Sequence, residues 1–402
     1  MMSLSRTIVS TFVTVIVSLV VAELVARAVF SLKPLVIQTP YHPIYALAEF
    51  DNLSTNAEMA HGPSGPMAYG YEEGVFGYYY DGRTLPPRSS TNLSDFLFRH
   101  TLSRYDAATI DRLACEQPNS AAIYVLGGSV AQGHSAQSKA ATWHALLEGK
   151  LRRQLQRDDI FLFNGAMGGY LSLQDKMAYY LAAVPRNARA VLILNSQNDL
   201  VVPLSSGTRP GDPFVLGVRF GQFFTDGFFW WLAKHSAIVN ALVQSEVKQA
   251  IQTYRQRLNE DDAAFAQYAE AVMDIYFENM HEVLEDCAIH GRACLVTIQP
   301  SRSFTAINRG LPASDVLSEK RMRSFYEMLK QRVARSPYRA RFVDLTGIFD
   351  RSDMAEIYTD GAHFSERGQA ILADELMQSA LGLLKDTAGG TGTPGRCRRP
   401  SI

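Results

Sequence analysis

Four short segments of this chain carry the residue types that acyl transfer through a serine ester requires. In chain order they read GGS at 127–129, NGAMGG at 164–169, NSQND at 195–199 and DGAH at 360–363. A serine can act as nucleophile, glycine N–H groups and an asparagine amide can hold an oxyanion, and an aspartate with a histidine can form an acid–base pair. The ordered set therefore predicts nucleophilic catalysis by serine.

Ser129 is the candidate nucleophile because it follows a short apolar run on a Gly127-Gly128 turn. Glycines permit the tight backbone that presents a side chain at the end of a strand. The alternative is a phosphate-cradling loop, since the segment is glycine-rich and precedes a helix. It lacks the lysine of a P-loop and the glycine spacing of a dinucleotide-binding loop, which favours the nucleophile.

Asp360 and His363 are the candidate acid–base pair, three residues apart and ahead of the last predicted helix. On a turn, this spacing lets the carboxylate reach the imidazole, fix its tautomer and stabilise its protonated form. A surface aspartate near a histidine at a helix entry would explain the same pattern. Together with Ser129, however, the pair completes a catalytic triad.

The oxyanion donors are predicted in the two middle segments. Asn198 follows a buried strand and could turn its amide toward a developing negative charge, and Gly169 could offer its backbone N–H to the same place. The N–H of Ser129 completes the set. Asn198 could instead be a turn or helix-cap residue, which is common for asparagine after a strand. Asp199 is a rival acid, although capping or pairing locally is its expected role.

From residue 121 onward the chain alternates apolar runs with helical patterns. The predicted strands cover residues 122–126, 160–163, 190–194, 293–298 and 341–345, and the predicted helices cover residues 143–156, 173–184, 261–290, 318–334 and 366–384. Strands that are apolar throughout imply a parallel sheet covered by helices on both faces. Sites in such sheets form beyond the C-terminal ends of the strands, where these segments fall.

The sequence divides into four predicted parts. Residues 1–33 form a membrane anchor, 34–118 an extension or small subdomain, 119–386 the catalytic domain, and 387–402 a disordered tail rich in glycine and threonine. Residues 32–117 show no sustained periodicity, which predicts irregular structure.

An insertion at residues 203–258 interrupts the catalytic domain and is rich in aromatic residues. These residues are Phe220, Phe223, Phe224, Phe228, Phe229, Trp230 and Trp231. They are interpreted as a lid or an acyl-binding pocket, or alternatively as a helical cap buried on the core.

Residues 7–30 are predicted to form a transmembrane helix. The stretch is apolar except for Glu23 and Arg27, and at about 1.5 Å per residue it is long enough to cross a hydrocarbon core. We favour an uncleaved anchor over a signal peptide because Ala26-Arg27-Ala28 is a poor cleavage site. Basic residues on both sides of the stretch leave its orientation undecided.

Composition excludes several classes of function. The 402 residues carry a formal net charge of −1, so no overall field attracts nucleic acid, and no nucleic-acid partner is expected. The four cysteines lack metal-binding spacing, and neither a metal nor an organic cofactor is expected. Cys287 and Cys294 could form a disulfide in an oxidising compartment or remain two half-buried thiols.

The ordered segments resemble the SGNH, or GDSL-type, hydrolase family, whose blocks supply Ser, Gly, Asn and a D-x-x-H pair in this order. Gly128 stands where the family has the aspartate of its Gly-Asp-Ser block, and Ser196 replaces the glycine of its Gly-x-Asn-Asp block. Asp360 and His363 match the last block without change. The resemblance covers about residues 121–384.

This resemblance implies a three-layer α/β/α sandwich with a five-stranded parallel sheet of the flavodoxin-like type, here behind one transmembrane helix. Because many family members are exported, it also implies a periplasmic or extracellular catalytic domain. The sequence thus predicts a membrane-anchored serine esterase that removes acyl groups, above all acetyl groups, from an envelope glycan or lipid.

Two other functions stay open on the sequence alone. An O-acyltransferase acting on an exopolysaccharide would use the same residues if water were excluded from the acyl-enzyme. A non-catalytic glycan-binding or assembly protein would keep the fold without the reaction. The presence of Ser129, Asp360 and His363 together argues against the second of these.

Overall fold

The computed structural model describes residues 2–29, 67–72, 75–80, 104–117, 120–206, 210–211, 236–312 and 317–388. Within them the strands are β1 (Met67–Glu72), β2 (Val75–Tyr80), β3 (Ala121–Gly127), β4 (Ile160–Asn164), β5 (Ala190–Asn195), β6 (Ala293–Ile298) and β7 (Phe342–Asp344). The helices are α1 (Met2–Val29), α2 (Ala107–Glu116), α3 (Ser129–Gln132), α4 (Trp143–Leu155), α5 (Ser172–Ala178), α6 (Gln197–Ser206), α7 (Ala237–Glu260), α8 (Asp262–Ile289), α9 (Arg302–Asn308), α10 (Glu319–Arg335), α11 (Met354–Ile357) and α12 (Glu366–Ala388).

Strands β3 to β7 form one parallel sheet of five strands in the order β4-β3-β5-β6-β7. The chain leaves β3 for β4 at one edge and then crosses back to β5 on the other side of β3. The strand order reverses at this point, which is where open α/β sheets bind ligands, beyond the C-terminal strand ends. The five-stranded parallel sheet predicted from the sequence is confirmed.

Side chains that alternate along each strand supply a core on both faces of the sheet. In β3, Tyr124 and Leu126 pack on the face covered by α5, α8 and α10. Ile123 and Val125 pack on the opposite face, which α4 and α12 cover. Because successive strand residues point to opposite sides, burial of both faces requires an apolar residue at every position. The predicted three-layer architecture is confirmed.

Helix α7 lies inside the predicted insertion and extends past its end at residue 258. It runs without interruption from Ala237 to Glu260. The following α8 begins after Asp261, whose side chain accepts the N–H groups of Ala263 and Ala264. The insertion therefore ends in regular helix that packs with the catalytic domain, whereas its aromatic residues at 220–231 lie outside the described residues.

Regular structure also occurs in residues 32–117, where the sequence predicted irregular chain. Strands β1 and β2 pair in an antiparallel hairpin, and α2 begins at Asp106, whose side chain accepts the N–H of Thr109. The prediction is wrong for these elements, and most of the remaining stretch lies outside the described residues. At the other end of the chain, α12 continues to Ala388, so the predicted tail boundary at residue 387 falls inside this helix.

Two features bear on the cellular compartment. Cys287 and Cys294 form a disulfide between the end of α8 and β6, which decides between the two alternatives left by the sequence. Helix α1 contains the apolar stretch Thr11–Ala28, which has the length and composition to cross a membrane. The side chains of Thr11–Ala28 are mostly exposed, so this stretch is not a core helix and fits a membrane anchor or a signal sequence.

Candidate active site

The structure brings Ser129, His363 and Asp360 into one hydrogen-bonded row. The Oγ of Ser129 lies 2.7 Å from Nε2 of His363, and Nδ1 of His363 lies 2.6 Å from Oδ2 of Asp360. Both separations are hydrogen-bond distances. With the proton on Nδ1, the imidazole donates to the carboxylate and accepts from the serine hydroxyl, as a general base requires.

The turn between β3 and α3 presents Ser129. Gly127 has a φ of +137°, and a Cβ at this position would lie 2.1 Å from the carbonyl oxygen of Leu194, so no larger residue fits there. Ser129 is the first residue of α3. Its N–H therefore has no acceptor within the helix.

A short turn positions Asp360 against the imidazole. Its Oδ1 accepts the N–H groups of Ala362 and His363, both at 2.8 Å. Burial alone would raise the pKa of Asp360, but the hydrogen bond and charge of His363 and the two N–H donors hold that pKa well below its ordinary value. The carboxylate is therefore ionised at neutral pH and can stabilise a protonated His363.

A second imidazole, that of His134, lies against the ring of His363 and was not predicted from the sequence. The rings of His134 and His363 have centroids 4.4 Å apart and planes inclined by 53°. Burial, and then the charge of His363, lowers the pKa of His134 to about 4. His134 is thus neutral at physiological pH and does not oppose protonation of His363. The sequence feature that could have indicated His134 is its position five residues after the candidate nucleophile.

Asn198 lies directly beside the nucleophile turn. Its Nδ2 donates to the carbonyl oxygen of Tyr170 at 2.9 Å, and a Cβ on Gly128 would come within 2.3 Å of the same nitrogen. Because glycine has no side chain, position 128 leaves room for the amide of Asn198. This gives a physical reason for glycine where the resembled family has aspartate. Because the amide carries two hydrogens, it can donate once more to a ligand.

Gly169 lies in the turn that follows β4, with a φ of +76°. The turn is joined to the nucleophile loop, because the N–H of Met167 donates to the carbonyl oxygen of Gly127 at 2.9 Å. Among the described residues, no acceptor takes up the N–H of Gly169. The three candidate oxyanion donors thus come from the C-terminal ends of adjacent strands.

A single residue with an unusual backbone, Ser196, joins β5 to α6, the helix whose second residue is Asn198. This residue has a φ of +138° and is buried. Its N–H donates to Oδ1 of Asn195 at 2.8 Å, while its buried hydroxyl finds no hydrogen-bond partner in the described part of the chain. Serine here adopts a positive φ, which glycine adopts far more readily.

Two buried carboxyl groups lie behind this loop. Asp199 accepts the N–H of Ser172 at 3.0 Å and its hydroxyl at 2.5 Å, and burial raises the pKa of Asp199 to about 6. Asp175 accepts a hydrogen bond from the side chain of Asn195, and burial raises its pKa well above the ordinary value. Asp199 therefore pairs with Ser172, whereas the carboxylate that lies against His363 is that of Asp360.

Comparison with known proteins finds similarity only among solved structures. No protein-family model matches the chain, and no curated protein matches its sequence. An acetyl xylan esterase, AlAXEase, aligns with a TM-score of 0.41 and 11% identity over 64% of this chain and 98% of its own.

Two further solved structures align over a similar part of the chain. A putative lipolytic protein of the G-D-S-L family from Desulfitobacterium hafniense has a TM-score of 0.35 and 8% identity, over 64% of this chain and 98% of its own. A lipase/acylhydrolase from Enterococcus faecalis has a TM-score of 0.35 and 12% identity, over 65% and 96%. Function lies in sites and not in folds, so its assignment depends on the side chains described above.

Proposed function

We propose that this chain is a serine-dependent carboxylic ester hydrolase of the SGNH type. The observation that supports the proposal is the row formed by Ser129, His363 and Asp360, with heavy-atom distances of 2.7 and 2.6 Å. The members of this row come from two loops that are 234 residues apart in sequence. A chance surface pair at Asp360 and His363 would not be aligned with a serine at the end of a strand.

The first half of the reaction forms an acyl-enzyme. The Oγ of Ser129 attacks the ester carbonyl carbon while Nε2 of His363 takes the hydroxyl proton, and Asp360 stabilises the resulting imidazolium. The tetrahedral intermediate collapses when His363 gives this proton to the leaving alkoxide oxygen. The alcohol departs, and the acyl group stays on Ser129 as an ester.

The second half returns the enzyme to its starting state. His363 removes a proton from water, which attacks the acyl carbon of the ester on Ser129. When the second tetrahedral intermediate collapses, Oγ leaves and takes the proton back from His363. The carboxylic acid is released, and no redox step or external co-reactant other than water is involved.

Three donors hold the oxyanion in this proposal: the N–H of Ser129, the N–H of Gly169 and the side-chain amide of Asn198. They are positioned before charge develops, since Ser129 and Asn198 lie in the first turns of α3 and α6 and Gly169 lies in the turn after β4. One such donor contributes about 10²–10³-fold to turnover. The neutral His134 leaves His363 as the one imidazole of this pair that becomes charged during the reaction.

The proposed location is outside the cytoplasm, with α1 as the anchor. The apolar stretch Thr11–Ala28 supports membrane attachment. The disulfide between Cys287 and Cys294 supports an oxidising compartment, because such bonds are rare in the cytosol. For this location we propose an acylated, above all acetylated, envelope glycan or lipid as the substrate.

The test compares the full-length chain with Ser129→Ala on p-nitrophenyl acetate, and adds labelling by a fluorophosphonate probe. We expect the wild type to hydrolyse the ester and take up the probe, and the variant to do neither while keeping its circular dichroism spectrum. Ser138→Ala, at an exposed serine on the same loop, is the matched control and should behave as wild type. Unchanged hydrolysis by Ser129→Ala would remove Ser129 as the nucleophile, and failure of the wild type to react with either compound would remove the hydrolase.

A further inference from the structure

Helix α1 binds the start of helix α7 through the side chain of Glu23. Oε1 of Glu23 accepts the N–H of Ala237 at 2.7 Å, and Oε2 accepts the hydroxyl of Ser236 at 2.8 Å and the N–H of Ile238 at 3.3 Å. The first N–H groups of a helix have no acceptor within it, and a carboxylate there also meets the positive end of the helix dipole. Glu23 thus caps a helix that begins more than 200 residues later in the chain.

Glu23 lies within the apolar stretch Thr11–Ala28 of α1. A charged group in such a stretch is costly in a membrane unless other groups satisfy it, by about 2.5–3.5 kcal/mol at the centre of a helix. Here the donors of α7 and the Nε of Arg27, at 2.8 Å, surround the carboxylate. The capping contact therefore explains how a glutamate is accommodated in the span.

Burial along α1 marks the side that faces α7. Ala26 is 6% exposed and the side chain of Glu23 is 22% exposed, whereas Leu19 and Leu24 are each 61% exposed. Residues three apart share one side of a helix, so Glu23 and Ala26 define a narrow contact strip. The remainder of the apolar surface is left for lipid.

The two ends of α7 have different surroundings. Its first turns read AIVNALV at residues 237–243, and Leu242 is 61% exposed. Near the other end, Leu258 is 2% exposed, and Nε of Arg255 donates to the carbonyl oxygen of Leu204 in the catalytic domain at 3.1 Å. Leu242 is within about 8 Å of Ala237 along the helix axis, and so lies close to the level of Glu23.

We propose that α1 and the first turns of α7 form one membrane-embedded unit, in which Glu23 is the docking residue and Leu242 contacts the acyl chains of the bilayer. The proposal rests on the membrane anchoring suggested above and goes beyond the esterase activity. Helix α7 then holds the catalytic domain at the membrane by a folded contact, in addition to the chain that follows α1. Its 24 residues reach about 36 Å.

The experiment uses the full chain in nanodiscs, with Cys115→Ser and Cys397→Ser as the background for thiol labelling. A fluorophore is attached at Leu242→Cys, and its quenching by lipids with nitroxide-labelled acyl chains is measured. Leu19→Cys, in the exposed part of the span, is the positive control. Leu311→Cys, which is 39% exposed after α9, is the negative control. We expect quenching at position 242 to reach at least half of that at position 19, with none at position 311.

A second set of variants tests the docking residue. Glu23→Ala should abolish quenching at position 242 and leave quenching at position 19 unchanged, while Glu23→Gln, which keeps one acceptor oxygen, should have a partial effect. The matched control is Glu116→Ala, which removes a carboxylate from an exposed pair with Arg112 and should change neither signal. Circular dichroism and ester turnover report whether each variant is folded.

The outcomes separate this proposal from the others. Equal signals at positions 242 and 311, or quenching at 242 that survives Glu23→Ala, would overturn it. A probe at position 19 that escapes lipid quenching would remove the anchor and the proposal together. An inactive protein with the expected quenching pattern would contradict the esterase and leave the membrane unit standing.

Discussion

The two sides of the candidate site are held by different means. On the acid–base side, Asp360 and His363 belong to one short turn, and their side chains are 52% and 20% exposed. On the oxyanion side, Asn198 lies in the first turn of α6, and its neighbours Asn195 and Asp199 are 0% and 2% exposed. One side is a local surface turn, and the other depends on a polar network inside the domain.

This difference predicts how substitutions divide between activity and stability. The turn at Asp360 needs only its own backbone N–H groups and the imidazole, so changes there should reduce turnover without unfolding the protein. The start of α6 at Asn198 follows a strained residue, Ser196, and lies beside buried carboxyl groups. Changes around this part of the chain should therefore alter stability as well.

The largest expected effect is that of Asp360→Asn, which should lower kcat about 10⁴-fold because the amide favours the wrong tautomer of His363. The asparagine oxygen can still accept the two N–H groups, so the melting temperature should stay near that of the wild type. Asp353→Asn, at an exposed carboxylate that accepts a turn N–H in the same way, is the control and should leave kcat unchanged. A loss of less than tenfold for Asp360→Asn would contradict its assignment as the triad acid.

The next effect belongs to the oxyanion side. Asn198→Ala should lower kcat by about 10²–10³-fold with little change in KM, because the lost donor acts on charge that develops in the transition state. Asn198→Asp keeps the shape of the side chain but replaces the donor with an acceptor, so it should be at least as harmful. Steady-state kinetics on p-nitrophenyl acetate measures both. A rise in KM alone would make Asn198 a contact for bound substrate and not an oxyanion donor.

The buried side should also show a pH dependence of stability that is opposite in sign to that of the surface turn, where the lowered pKa of Asp360 makes stability fall as the pH falls. Burial raises the pKa of Asp199 from the ordinary 3.8 to about 6, so the folded state holds this proton more tightly than the unfolded state does. The contribution of the protonated Asp199 to the free energy of unfolding is therefore present at low pH and is lost as the pH rises through 6. A shift of about two pKa units corresponds to roughly 3 kcal/mol.

Asp199→Asn removes this titration and isolates its effect. The free energy of unfolding of the variant minus that of the wild type should increase by up to about 3 kcal/mol between pH 4 and pH 7. Urea unfolding at several pH values measures this difference, in which the contributions of groups that are not coupled to Asp199 cancel. The coupled carboxyl group is Asp175, because burial and, to a smaller extent, the charge of Asp199 raise the pKa of Asp175. Parallel pH curves for the two proteins would show that Asp199 does not titrate in this range.

The sheet and the order of the candidate residues could be predicted because the signals are local. The core strands are mostly apolar runs, and the segments containing Ser129, Asn198 and Asp360 directly follow strands or precede a helix. In a parallel sheet, residues that follow the C-terminal ends of the strands lie together at one edge of the sheet. Knowledge of the strand positions was therefore sufficient to expect these residues to lie together.

The remaining features depend on contacts between distant parts of the chain. Glu23 caps Ala237 across more than 200 residues, and His134 meets His363 only after the sheet has assembled. The bounds of helix α7 were not predicted, although a helical cap was one alternative for the insertion. The two ends of the helix have different surroundings, so no single apolar face runs along it. The positive φ at Ser196 could not be predicted either, because a serine in the sequence does not indicate a conformation that glycine usually adopts.

The smallest expected effect tests the strain on the oxyanion side. Ser196→Gly should stabilise the protein by about 1–2 kcal/mol, because it relieves a φ of +138° and removes a buried hydroxyl, while it adds some entropy to the unfolded chain. The midpoint of urea unfolding measures the change. Turnover should remain within a few-fold of the wild type, since Asn198 keeps its hydrogen bond to Tyr170.

Ser196→Ala separates the two sources of this effect. Alanine removes the hydroxyl but keeps a Cβ at a backbone conformation that favours glycine, so it should recover only the part due to the buried oxygen. A stabilisation by glycine that alanine does not match would assign the remainder to backbone strain. If both variants destabilise the protein, the conformation of Ser196 is supported by its hydroxyl, and the oxyanion side is not strained.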